Sequence, residues 1–112
     1  MKQLNRQNHQ LKSSRKQEKS VARRLDGDLT VSSGNKWFNK GDVRTSTHLV
    51  ECKTTGKLSY NIKSSELRKI ETEALLEGKN PVLVFDLDGR RYAIFPWEDA
   101  VELMENKNVA VD

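Results

Sequence analysis

Gly41-Asp42-Val43-Arg44-Thr45-Ser46-Thr47-His48-Leu49-Val50-Glu51-Cys52-Lys53 is the stretch on which the reading of this chain turns. Its last five residues read as a strand. Side chains alternate faces along a strand, so Glu51 and Lys53 emerge on one side while Val50 and Cys52 emerge on the other, Cys52 toward the core. Asp42 opens an apparent preceding strand, Asp42 to Ser46. A tight reversal near Thr47 lays the two strands antiparallel and brings Asp42 back toward Glu51. Two carboxylates and an amine then converge. Mg2+ takes oxygen ligands in octahedral geometry and is commonly held by one or two carboxylates plus substrate phosphate oxygens, which suits Asp42 and Glu51; Mn2+ is the expected substitute. Phosphodiester hydrolysis needs an activated water and relief of the charge that builds on phosphate, and a metal serves both needs. Lys53 is placed to orient the water or to neutralise that charge. A bare Glu-x-Lys carries little by itself in a chain with 32% charged residues, where a solvated ion pair is the ordinary outcome.

The flanking segments add weight. From Glu18, the residues Val21, Ala22 and Leu25 follow at three, four and seven positions, which sets a glutamate on the apolar face of an early helix, Arg15 to Leu25. Such a residue is either a boundary side chain reaching solvent or pairing with Arg15 or Lys19, or a third acid for the site. Gly27 ends that helix, and Leu29-Thr30-Val31-Ser32 alternates like a strand that opens toward the site. The loop Gly34 to Gly41 interleaves Lys36 and Lys40 with Trp37 and Phe38. These aromatics either stack on unpaired bases or fold back over the core. Lys57 and Tyr60 follow in a second loop. Ser64 or Ser65 caps a helix carrying Leu67, Ile70, Ala74 and Leu75 on one face and stopping at Gly78. Pro81 to Phe85 is an apolar run expected to be a buried strand, and Asp88-Gly89 signals a hairpin into Tyr92 to Phe95. Asp86 and Asp88 are read as turn formers, and His9 and His48 lack partners at zinc-binding spacing.

From about Ser14 to Leu103, this ordered set resembles the PD-(D/E)xK nuclease superfamily, and within it the small archaeal and phage Holliday junction resolvases. The shared parts are an early helix with a glutamate (Glu18), a strand ending in a serine before a Gly-rich loop (Ser32-Ser33-Gly34-Asn35), the aspartate Asp42, and the strand Glu51-Cys52-Lys53. A helix, two strands and Phe95-Pro96-Trp97 follow. The chain departs from the family pattern in carrying Gly41 where the family name implies proline and Glu66 where relatives carry glutamine. The adjacent Ser32 and Ser33 both lie at the serine position, with Ser33 directly before Gly34 the better fit.

The resemblance implies an α/β fold with a restriction-endonuclease-like mixed β-sheet flanked by helices, in one domain over residues 14–112. It implies a metal-dependent endonuclease that hydrolyses DNA phosphodiester bonds, a structure-specific Holliday junction resolvase acting as a homodimer on branched DNA. Catalytic roles fall on Glu18, Ser33, Asp42, Glu51 and Lys53, and the metal set on Asp42, Glu51 and Cys52. DNA contact falls on Arg15, Lys19, Asn35, Lys36, Trp37, Lys40, Lys57 and Tyr60. Phe95, Pro96 and Trp97 are candidates for the dimer contact or for burial within one subunit. Competing readings are a phage nicking or DNA-processing endonuclease of the same superfamily and a non-catalytic DNA-binding module.

Composition agrees with a polyanion partner. The chain of 112 residues has a formal charge of +4, and its first 24 residues hold eight Lys or Arg against Glu18 alone, a surplus of seven that leaves the remainder at −3. Residues 1–13 read as a basic arm, either solvated or laid against DNA. One cysteine excludes an internal disulfide, and no segment reads as a signal peptide or membrane span. A cytoplasmic protein is expected, with a phage-encoded protein in the host cytoplasm as one source.

Overall fold

The computed structural model describes residues 15–29 and 42–106. Among these, a helix over residues 15–25 (α1) leads to β1 (Asp28–Leu29). A hairpin of β2 (Asp42–Arg44) and β3 (His48–Thr54) comes next, then α2 (Ser64–Leu76), β4 (Asn80–Leu87), β5 (Arg90–Ile94) and α3 (Trp97–Asn106). The strands form one sheet in the order β1-β2-β3-β4-β5. Only β3 and β4 run parallel, as the α2 crossover between them requires; the other neighbours are antiparallel. This is a small α/β fold with a five-stranded mixed sheet, compatible with the restriction-endonuclease-like class.

Strand alternation divides the sheet into two unlike faces. Val43, Val50, Cys52, Val82 and Val84 point to one side, where Val21 and Ala22 of α1 close a core joined by Leu29 and Phe95. The register puts Asp42, Leu49, Glu51, Lys53 and Leu83 on the other side, under α2, which packs across β3 and β4 with Ile70 and Ala74 buried. Leu49, Leu83, Val43 and Val50 are the largest fully buried side chains, so the centre of the sheet is apolar on both faces.

Several local expectations have different physical causes in the structure. Gly27 does follow the first helix, but the left-handed residue is Asp26, at φ 54°. The Gly27 amide donates to the Ala22 carbonyl at 2.8 Å, closing the helix end with a Schellman-type bond. Gly27 is instead required for space: a Cβ there would lie 2.8 Å from Val43 Cγ1 and 3.0 Å from the Arg44 carbonyl oxygen. The N-cap of α2 is Lys63, without a side-chain cap bond, rather than either serine. Gly78, at φ 68°, ends α2 as expected, with the Lys79 amide bonded to the Ala74 carbonyl at 2.8 Å. Asp88 and Gly89 both take positive φ, 52° and 72°, the combination a two-residue hairpin of type I′ needs. Leu25 and Leu75, expected on apolar faces, are exposed. Phe95 packs against the core, whereas α3 has no buried residue and Trp97 stands exposed. No described helix is long and apolar enough to cross a membrane.

Leu49 and Leu75 make a clean contrast, because one is 0% and the other 78% exposed. Leu49→Ala is expected to cost about 2–5 kcal/mol by creating a cavity under α2. Leu75→Ala should stay within about 0.5 kcal/mol of wild type. Urea denaturation of both variants checks this, and equal effects would reject the assignment of the buried face.

Candidate metal centre beneath helix α2

The centre of the site is a strand pair. β2 and β3 are held in a register that sets Asp42 directly opposite Glu51. The reversal between them is fixed by Thr45, whose Oγ1 accepts the amides of Thr47 at 3.2 Å and His48 at 2.9 Å. The hairpin geometry that brings the two acids together is thus set within a few residues of sequence.

Helix α2 then lays a third acid over them. Glu66, Ile70, Glu73, Ala74 and Glu77 recur at helical spacing, so one stripe of α2 and its C-cap faces the sheet. Each glutamate of the stripe meets a different group below. Glu77 binds Arg44 through two bonds, at 2.7 and 2.8 Å. Glu66 holds the Lys53 ammonium at 3.2 Å. Glu73 joins Asp42 and Glu51, and one ligand atom from each of the three lies within 4.8 Å of the others. Sequence reasoning missed Glu73. The available signal was its place between Ile70 and Ala74 on the buried stripe, the same argument that singled out Glu18.

The cluster is electrostatically costly without a cation. Glu51 is buried, 5% exposed, on the central strand. The Asp42 carboxyl is pushed up to about 8, first by burial, then by a hydrogen bond and like charge from Glu51, with Glu73 adding and Arg44 opposing. Its Oδ1 is buried without a hydrogen-bond partner. Such an oxygen costs free energy unless something satisfies it. A divalent cation fits this set: all three donors are hard carboxylate oxygens, the charge repulsion would be relieved, and the unpartnered oxygen would gain a ligand bond.

Lys53 borders the cluster on the same face, with its ammonium 3.9 Å from Glu51. Glu66 is shared in turn, since the Tyr60 hydroxyl donates to both of its carboxylate oxygens at 2.9 Å. Burial, and then that bond, push the Tyr60 hydroxyl up to about 12. The Tyr60 hydroxyl is thus engaged with Glu66 at the edge of the site.

No family model, curated protein or solved structure matches the chain.

The other residues singled out from sequence divide by location. Cys52, counted in the metal set, has its thiol on the opposite face, in the core beside α1, where burial first and nearby carboxylates second push it up to about 12. Its side chain thus lies behind the sheet, as strand alternation implies, and its sulfur is not part of the acidic cluster of the described residues. Glu18 lies on α1, on the Cys52 side, and its charge helps raise that thiol. It is not in the acidic cluster of the described residues. Its neighbour Gln17 is the buried polar residue of α1, donating from Nε2 to the Lys53 carbonyl at 2.6 Å and so bracing the strand from behind. Arg15, Lys19 and Lys57 are exposed. Ser32, Ser33, Asn35, Lys36, Trp37, Phe38, Lys40 and the arm over 1–13 lie outside the described residues. Asp86 is paired with Arg91 at 2.8 Å, in keeping with a hairpin role.

The Asp42 shift fixes a sign for pH dependence. Folding raises this carboxyl from its ordinary 3.8 to about 8, so between those values the folded protein holds a proton that the unfolded chain has released. The contribution is fully present below about pH 4 and is lost as pH rises to about 8. EDTA-treated wild type should melt at progressively lower temperature across that window. Asp42→Asn should flatten the slope and melt higher at pH 8, while losing the stabilisation that Mn2+ gives wild type; a flat wild-type profile would contradict the shift.

Proposed function

We propose that this chain is a metal-dependent endodeoxyribonuclease of the PD-(D/E)xK kind, acting on branched DNA as a homodimeric Holliday junction resolvase. The observation that carries the reading is the cross-strand pair Asp42 and Glu51, with Lys53 two residues on and on the same face. Mg2+ is the proposed ion, with Mn2+ able to replace it, and Asp42, Glu51 and Glu73 would hold it. When bound, the ion would supply Lewis acidity to a phosphate oxygen and lower the pKa of water.

The chain's own groups divide the remaining work. Glu51, on the central strand, is the most buried of the three acids and would set where the scissile phosphate sits. Asp42 would give up its proton on loading, because the ion's charge would outweigh the burial and the like charge of Glu51 that raise its pKa. Lys53, steadied by Glu66, offers an ammonium beside the acids that can orient the attacking water or offset the charge developing on phosphate. Nothing among the described elements resembles a helix built to read base edges in the major groove, so recognition rests on shape and phosphate path. The basic first 24 residues would contribute a salt-dependent attraction. A cytoplasmic location, with a phage as one source, accords with this reading.

The test is cleavage of a labelled four-way junction beside a linear duplex of the same sequence, in Mg2+ or EDTA, with wild type and Glu51→Gln. Paired metal-dependent cuts near the branch are expected, with activity falling at least a hundredfold in the variant while junction binding is retained. Equal cutting of both DNAs would reduce the reading to a general nuclease of the superfamily. Tight binding with no cutting under any metal would leave a DNA-binding module.

A further inference from the structure

Beside the acid cluster, three aromatic rings form a continuous stack on the α2 face of the sheet. Tyr60 and Phe85 lie 5.8 Å apart between centroids at 19°, and Phe85 and Tyr92 lie 5.7 Å apart at 25°. The inner end is locked, because the Tyr60 hydroxyl is tied to Glu66. The other end is open: Tyr92 sits on β5, the outermost strand of the described sheet on that side, and is 45% exposed.

Register relates this stack to the acids. Phe85 pairs with Lys53 on one side and with Tyr92 on the other, so Lys53, Phe85 and Tyr92 form one row across the sheet. Glu51, Leu83 and Ile94 form the neighbouring row on the same face. Two strand spacings across and two residues along place Tyr92 roughly 12 Å from Glu51, within reach of a short run of nucleotides. Arg90, two residues before Tyr92 on β5 and therefore on the same face, is exposed beside the open ring. Arg91 points the other way and is occupied by Asp86 and Ser20. An open aromatic face with an exposed cation next to it is the arrangement that takes a base on the ring and its phosphate on the charge.

We propose that Tyr92 is a stacking platform for an unpaired base of the DNA strand whose phosphate meets the acid cluster, with Arg90 on the adjoining phosphate. The proposal rests on the nuclease reading and deepens it: the strand to be cut must carry a nucleotide that is unpaired or becomes so at or beside the cut, at a four-way junction one released where the crossover opens. A base inside a duplex already stacks on both faces, so only a base freed at a branch, flap or single strand can cover Tyr92.

The experiment is fluorescence anisotropy in EDTA with a labelled single strand and a duplex of the same sequence, together with quenching of a 2-aminopurine placed in the single strand. Wild type and Tyr92→Phe should bind the single strand alike and quench the probe. Tyr92→Leu keeps apolar bulk on the strand but removes the π face; it should weaken single-strand binding about tenfold and relieve the quench, with duplex affinity unchanged. Unchanged single-strand binding in Tyr92→Leu, or an equal loss on both DNAs, would overturn the platform. Cleavage assays in Mg2+ on the same proteins separate the two readings. Tyr92-dependent binding without cutting sinks the nuclease and keeps the platform, and cutting with Tyr92-independent binding does the reverse.

Discussion

The central strand carries the structure. β3 pairs in parallel with β4 over its whole length, His48 to Thr54, and antiparallel with β2 over Leu49 to Glu51, so the segment that carries Glu51 is held from both sides. Alternation then obliges it to do two things at once. One face supplies Val50 and Cys52 to the core beneath α1, and the other interleaves Leu49 with Glu51 and Lys53 beneath α2. A slip of one residue would send both charges into the Val21 and Ala22 layer, so burial of the apolar face and placement of the acids are a single constraint.

Helix α2 makes that constraint costly and useful. Its glutamate stripe spans the sheet from Lys53 to Arg44, with ion pairs at both ends and Glu73 between them over Asp42 and Glu51. The end pairs fix the helix in place, and the middle residue brings a like charge to a pair already short of counter-charge. An oxygen buried without a partner at Asp42 is the visible trace of that imbalance. Local stability is given up at the place where a cation would restore it.

How much of this could be read from the sequence follows the range of the interactions. The pairing of Asp42 with Glu51 was readable because a short reversal and strict alternation set it. The Asp88-Gly89 hairpin and the stop at Gly78 were readable because positive φ selects few residues. Glu73 was not found, since helical periodicity shows that a residue faces a sheet but not which strand residue lies opposite. The apolar stripe likewise set Glu18 on the packed side of its helix, but nothing local says which face of the sheet that helix covers, and the structure has it on the Cys52 side. Gly27 was noticed for the wrong reason, because its need is space beside Val43 rather than freedom in φ.

The order in which the site assembles has a kinetic side. Asp42 and Glu51 meet through a hairpin with a three-residue reversal, a contact that closes quickly and with little loss of chain entropy. Glu73 arrives only when α2, some twenty residues further along, docks on the sheet. While the hairpin stands alone its carboxylates are bathed in water, and their repulsion is weak. The repulsion becomes strong when the helix seals them, so it acts on the docking step. Alkaline conditions should therefore shorten the lifetime of the docked state and leave hairpin closure nearly as fast as before.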